Sequence, residues 1–80
     1  MSDGKLITLR QMESGQSGRV VRVDGGHGLV NRLNSLGIRP GKKITKGSAM
    51  LLRGPVTIQV DRAHIAIGFG KAGRIIVELE

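Results

Sequence analysis

The chain has 80 residues, with thirteen lysines and arginines against six acidic residues, and a formal charge of +7. That length accommodates one small domain and excludes two independent cores. It contains no cysteine, which excludes disulfide bonds and thiolate metal sites, and neither a membrane-spanning apolar run nor a secretory signal is present, so we expect a cytoplasmic protein.

The N-terminal part predicts a flexible start, one turn and one strand. Residues 1–5 are polar and predict a flexible N-terminus. Thr8 is placed to cap a single helical turn, although the same segment is also compatible with a strand. The valine-rich residues 17–24 predict the first long strand, with Val21 and Val23 on one face.

One short amphipathic helix is predicted after this strand, from about Gly28 to Leu36. Its apolar residues recur on one arc at helical spacing, and polar residues occupy the opposite arc. Gly37 stands where a helix commonly ends in the left-handed conformation, and Pro40 prevents continuation. The residues predicted to be structural here are Gly25, Gly26, Leu33, Leu36, Gly37, Pro40 and Gly41.

The rest of the chain predicts short strands with glycine at the corners. Strands are predicted at residues 42–46, 55–61, 64–68 and 74–79, and residues 68–73 have room for one helical turn. Because a closed sheet leaves no exposed edge, residues 6–80 predict a mainly β fold: a single small SH3-like barrel of about five strands with the helix at one end. An OB-type barrel is the alternative.

Several strings occur in the order that is typical of the FeoA family. They are Gly18-Arg19-Val20-Val21, Gly25-Gly26, Arg32-Leu33, Leu36-Gly37-Ile38, Pro40-Gly41, Gly54-Pro55-Val56, Ile65-Ala66-Ile67-Gly68 and Ile75-Ile76-Val77. The chain resembles this family from about Thr8 to Glu78. The resemblance implies an SH3-like barrel and a small cytosolic accessory protein of bacterial ferrous iron uptake. It also implies a partner, the membrane permease FeoB with its cytosolic GTP-binding domain.

The same module also forms the C-terminal domain of iron-dependent repressors related to the diphtheria toxin repressor. No winged-helix segment precedes the module in this sequence, so we expect the accessory protein. Two positions depart from the family pattern. Lys71 stands where many relatives carry an acidic residue, and residues 50–55 lack the acidic residue that often precedes the proline. Both departures make the predicted surface more basic.

The polar arc of the helix is the candidate partner-binding surface. It consists of Asn31, Arg32, Asn34 and Ser35, with Arg39 beyond the turn. The alternative interpretation is the solvated face of an ordinary amphipathic helix. An exposed strand edge is the second candidate surface, and it is compatible with a monomer or a weak homodimer.

Catalytic chemistry has little support, and we expect a non-enzyme with no small-molecule substrate. The sequence offers no cysteine or tyrosine, and its acidic residues form no evident pair. Residues 25–28 lack the lysine and hydroxyl of a phosphate-binding loop, so they indicate a strand-to-helix corner that needs glycine dihedrals. No cofactor is required, and His27 and His64 are the candidates for weak iron or zinc binding, without a second ligand at helical spacing.

The positive charge suits an anionic partner, and a small basic nucleic-acid-binding β-barrel is the alternative function. Phe69 is the sole aromatic residue. Since recognition of single strands usually needs several aromatic rings for base stacking, composition disfavours nucleic acid as the partner.

Overall fold

The computed structural model describes residues 4–49 and 54–80. The first three residues of the predicted flexible terminus and most of the departure at residues 50–55 therefore lie outside the described residues. Six strands are described: β1 (Leu6–Thr8), β2 (Ser17–Val23), β3 (Lys43–Ala49), β4 (Val56–Val60), β5 (Ala63–Ile67) and β6 (Ile75–Leu79). The helical elements are a 3-10 turn, η1 (Leu9–Gln11), and two helices, α1 (His27–Ser35) and α2 (Phe69–Ala72).

The strands form one antiparallel sheet in the order β1-β6-β2-β3-β4-β5. In the described part of the chain β1 and β5 are the sheet edges, so hydrogen bonds do not close it into a complete barrel. The mainly β fold with one short helix after the first long strand is confirmed. The additional strand is β1, and η1 directly after it is the turn that Thr8 was predicted to cap.

The core is formed by side chains of the sheet and of the helical elements. In β4 every second side chain is buried, as the alternation predicts: Val56, Ile58 and Val60 are at most 3% exposed. Each such aliphatic side chain contributes roughly 1.5–3 kcal/mol on burial. The buried cluster consists of Leu9, Met12, Val20, Leu33, Ile38, Ile44, Val56, Ile58, Val60, Ile67, Ala72, Ile75 and Val77.

A β-bulge interrupts the alternation of β2. Val20 pairs with Val77, but the next paired residue of β2 is Arg22, opposite Ile76. Val21 is therefore the extra residue of a bulge and is exposed, while Val23 packs against the core. The prediction that Val21 and Val23 share one face is wrong because the bulge shifts the alternation by one residue.

Helix α1 ends in a Schellman motif. Gly37 has a φ of +92°, which is the left-handed conformation expected at this position. Its N–H donates to the carbonyl of Asn34 at 2.9 Å, and the N–H of Ile38 donates to the carbonyl of Leu33 at 2.9 Å. These two bonds satisfy the last carbonyls of the helix and turn Ile38 into the core beside Leu33.

The side chain of Leu36 is not part of the buried arc. It is 43% exposed, because the helix ends at Ser35 and Leu36 occupies the C-cap position. Ile38 takes the core position instead and is fully buried. Leu36, which was predicted to be structural and to lie on the apolar arc, is therefore not part of the buried core.

Candidate functional site

A groove with basic walls lies between η1, α1 and α2. Its main cavity has a volume of about 790 Å³ and is lined by Arg10, Asp24, Leu29, Gly70, Lys71, Gly73 and Arg74. A smaller cavity of about 230 Å³ shares Leu29 and Lys71 with it and adds Gly28 and Arg32. We call these two cavities the basic groove. Its lining carries four cationic side chains and, among the described residues, one carboxylate, Asp24.

Arg10 is positioned from both its backbone and its side chain. The hydroxyl of Thr8 accepts from the N–H of Gln11 at 3.3 Å, and the Gln11 side chain accepts from the N–H of Thr8 at 2.9 Å. This capping box fixes η1. The Arg10 guanidinium lies 4.0 Å from the centroid of the Phe69 ring. It also covers Gly73, where a Cβ atom would lie 2.7 Å from Cζ of Arg10.

Lys46 anchors η1 to β3 from below the groove. Its side chain points inward and is only 5% exposed. The ammonium donates to the carbonyl of Arg10 at 3.2 Å and to the carbonyl of Met12. In the described part of the chain no carboxylate pairs with it, and burial lowers the pKa of Lys46 below its ordinary value of 10.5. Two backbone oxygens therefore stabilise a buried ammonium and hold the turn that carries Arg10.

Arg74 and Asp24 face each other across the end of β2 and the start of β6. The N–H of Asp24 donates to the carbonyl of Arg74 at 2.7 Å, and Nη1 of Arg74 donates to the carbonyl of Asp24 at 3.4 Å. The Asp24 carboxylate pairs with Nε of Arg22 at 2.8 Å, and both side chains are more than half exposed. Such a pair is weak, but it engages the groove's carboxylate with a residue outside the groove.

Arg32 and Lys71 are exposed cations that line the smaller cavity together with its apolar residue, Leu29. Neither side chain forms a hydrogen bond or an ion pair with the residues at 4–49 and 54–80. Their charge is therefore available to an external anion, and guanidinium and ammonium groups both suit carboxylates.

The predicted contact surface on α1 overlaps this groove at one residue. Asn31, Asn34, Ser35 and Arg39 are exposed, and the Ser35 hydroxyl donates to the carbonyl of Asn31 at 3.0 Å within the helix. Of the predicted set only Arg32 belongs to the groove lining. Sequence reasoning missed Arg10 and Arg74, because they come from segments far apart in the chain. It noted Lys71 only as a departure from the family pattern.

The strand-to-helix corner does not require the left-handed conformation at Gly25 or Gly26. Gly26 is the N-cap of α1, with a φ of −76° that any residue adopts. Gly25 packs closely against Leu29 instead, since a Cβ there would lie 2.7 Å from Cδ2 of Leu29 and that side-chain end would have to move. The expectation that this corner needs special glycine dihedrals is wrong, whereas Gly37 and Gly41 do have positive φ.

The two histidines are exposed, on α1 and on β5. Within residues 4–49 and 54–80 no three side chains of the types His, Cys, Asp and Glu lie together as a potential metal site. Over the same ranges, none of the helices has the length and apolar character needed to span a bilayer.

Comparisons with known proteins agree with the fold. A family model described as the FeoA domain matches residues 7–79. A protein of Methanocaldococcus jannaschii named "Putative Fe(2+) transport protein A" is 38% identical over 76 residues, which cover 91% of this chain and 87% of that protein. The crystal structure of an iron uptake regulatory protein (FeoA) superposes with a TM-score of 0.88 at 36% identity and covers 95% of this chain and 100% of the other.

Two further solved structures have the same fold as this chain. The zinc complex of FeoA from Stenotrophomonas maltophilia, described as a prokaryotic SH3 domain protein, has a TM-score of 0.76 at 25% identity and covers 89% of this chain and 88% of the other. A manganese-dependent transcriptional repressor has a TM-score of 0.86 at 20% identity, over 100% of this chain and 45% of the repressor. The second likeness concerns the fold alone, and the predicted SH3-like fold is confirmed.

Proposed function

The chain belongs to the FeoA family, and on that premise we propose that it is an accessory protein of ferrous iron uptake. It acts in the cytoplasm as a protein-interaction module that assembles or regulates the FeoB permease. The cytosolic portion of FeoB is the proposed partner surface, and iron is the cargo of the permease rather than a cofactor of this chain.

Two cations that form no ion pair within residues 4–49 and 54–80 support an interaction role. Arg32 and Lys71 line the same cavity as Leu29, so the groove offers both positive charge and apolar surface. Protein interfaces combine such features, and arginine is enriched in them. Among the described residues the lining has no serine, threonine, cysteine or histidine, and its one carboxylate, Asp24, is exposed, so a binding role fits the groove better than a catalytic one.

Binding to nucleic acid is the second candidate, since four cations line the groove. The position of Arg10 argues against it. Arg10 already lies over the Phe69 ring, which is the single aromatic side chain of the protein. That ring face is therefore not available to stack on a base.

Calorimetric titration of the full chain with the cytosolic portion of its cognate FeoB tests the proposal. We expect saturable binding that Lys71→Gln weakens and Arg62→Gln leaves unchanged. Arg62 is exposed in the turn between β4 and β5 and gives the same change in charge away from the groove. Absence of binding, together with salt-dependent binding to RNA or DNA, would favour the second candidate.

Weak divalent-metal binding and a weak homodimer remain predictions. Ferrous or zinc ions added to the isotope-labelled protein should shift the ring signals of His27 or His64 only at high metal concentration. Sedimentation equilibrium should give a monomer, or a dimer that dissociates on dilution.

A further inference from the structure

We infer that the basic groove binds an acidic peptide segment of a partner protein, with carboxylates at Arg32 and Lys71 and an apolar side chain against Leu29. The inference rests on the proposed interaction role and specifies the chemistry of the partner segment.

The charges of the groove favour carboxylates. Arg32 and Lys71 form no ion pair with the described residues, and the four cations of the lining outnumber its one described carboxylate, Asp24, which pairs weakly with Arg22. Arg10 is held in place against Phe69 and over Gly73. A side chain that is already fixed loses little conformational entropy on binding, so Arg10 is prepared to receive an anion. A ligand with several carboxylates matches this arrangement, and a neutral or basic ligand does not.

The apolar element of the groove is Leu29. Its side chain is half-buried, packs against the core cluster and belongs to the lining of both cavities. Gly25, Gly28, Gly70 and Gly73 surround it with backbone instead of bulky side chains. The exposed part of Leu29 therefore provides a shallow apolar contact in the same lining as the cations, and this contact suits one aliphatic side chain of a peptide.

The size of the groove favours a peptide over a single anion. The two cavities have volumes of about 790 and 230 Å³ and meet at Leu29 and Lys71. A lone inorganic anion would contact only part of the cationic lining.

The geometry also argues against a membrane surface as the ligand. The cationic side chains line an open, shallow groove between three helical elements, with the half-buried Leu29 as its apolar residue, whereas an amphipathic membrane-binding surface presents a continuous apolar face. Phe69, the single aromatic anchor, is engaged by Arg10.

Fluorescence anisotropy of the full chain tests the inference with a labelled peptide of alternating glutamate and leucine. The comparison ligands are the same peptide with glutamine in place of glutamate, inorganic phosphate as competitor, and a labelled single-stranded oligonucleotide. We expect the glutamate peptide to bind and the glutamine peptide to bind at least about tenfold more weakly, because the glutamine peptide carries no carboxylates for the cationic lining. A tenfold difference in affinity corresponds to about 1.4 kcal/mol of binding free energy. Phosphate should compete poorly.

Matched variants locate the binding site. Lys71→Gln and Arg32→Gln should each weaken peptide binding by up to about fivefold, in line with loss of one exposed charged contact. Arg62→Gln removes one exposed charge outside the groove and should leave the affinity unchanged. All three side chains are exposed, so thermal melts should show folded proteins throughout.

Three results would overturn the inference: equal losses in Lys71→Gln and Arg62→Gln, equal binding of the glutamate and glutamine peptides, or tight binding of the oligonucleotide alone. Because the assay contains no permease, these results would reject the peptide groove without rejecting the interaction with FeoB. Conversely, peptide binding in a protein that fails to bind FeoB would reject the proposed function and keep the groove.

Discussion

The guanidinium of Arg10 lies 4.0 Å from the ring centroid of Phe69, and this contact joins η1 to α2 across the basic groove. The carbonyl of the same residue accepts a hydrogen bond from the buried ammonium of Lys46. Arg10, which forms one wall of the groove, is therefore held through both its guanidinium and its backbone carbonyl. Fixation of this kind lets a short 3-10 turn hold the Arg10 side chain in one position.

Gly73→Ala should displace the Arg10 guanidinium without unfolding the protein. Gly73 has a φ of −72°, which alanine adopts without strain, but its new Cβ would lie 2.7 Å from Cζ of Arg10. We expect the free energy of unfolding to change by less than about 1 kcal/mol, while NMR signals of the Arg10 Nε–H and the Phe69 ring shift. Gly70→Ala is the control, since its Cβ would meet nothing within 4 Å. Unchanged Arg10 and Phe69 signals in Gly73→Ala would contradict the contact.

Lys46→Met should destabilise the protein by about 1–3 kcal/mol, because the carbonyls of Arg10 and Met12 lose their donor at a buried position. Chemical denaturation at neutral pH measures this loss. Lys43→Met on the same strand is the control, since Lys43 is exposed and forms a weak surface pair with Glu80. A Lys46→Met protein as stable as the wild type would show that the ammonium is not needed to hold η1.

Burial of Lys46 also predicts that the free energy of unfolding increases with pH in the alkaline range. Desolvation lowers the pKa of Lys46 in the folded protein below the ordinary value of 10.5. At a pH between the folded pKa and 10.5, the unfolded chain therefore holds a proton that the folded chain has released. The free energy of unfolding therefore rises with pH through this window, and the gain is lost as the pH falls through the folded pKa. The difference in stability between wild type and Lys46→Met should increase as the pH approaches 10.5. A constant difference would contradict the lowered pKa.

Gly37→Ala should cost about 1–2 kcal/mol, because alanine is strained at a φ of +92°. Gly28 lies within the same helix, and a Cβ added there would meet no atom within 4 Å. Gly28→Ala should therefore be neutral or slightly stabilising. Thermal unfolding of the two variants separates the backbone effect from the added methyl group. Equal melting temperatures would refute the Schellman end of α1.

Leu33→Ala should cost roughly 2–5 kcal/mol, because Leu33 is 1% exposed and anchors α1 to the core. Leu36→Ala deletes the same atoms three residues later and should cost less than about 1 kcal/mol, because Leu36 is 43% exposed. Denaturation curves with similar midpoints for both variants would mean that α1 is not packed on the core as described.

Local sequence patterns were sufficient for much of the fold. Helix α1 and the left-handed Gly37 follow from spacing and end signals, and β4 follows from strict alternation. The bulge at Val21 could not be predicted, because the mismatch between β2 and β6 is a property of two strands that are distant in sequence. Burial of Lys46 was missed for a similar reason. Its partners are carbonyls of η1, and a lysine in a strand ordinarily faces solvent.

Only part of the candidate site was accessible from sequence. Arg32 was recognised because it lies on the polar arc of a helix with an evident period. Arg10 and Arg74 could not be connected with it, since the sheet topology, not the local sequence, brings η1 and the start of β6 beside α1.

The most direct test of the proposed function is a proton–nitrogen NMR titration of the labelled chain with the cytosolic portion of its cognate FeoB. We predict saturable shifts that cluster around Arg10, Arg32 and Lys71, and that weaken in Lys71→Gln but not in Arg62→Gln. The absence of saturable shifts, or shifts confined to the β5 edge, would contradict the role of the basic groove in binding the permease.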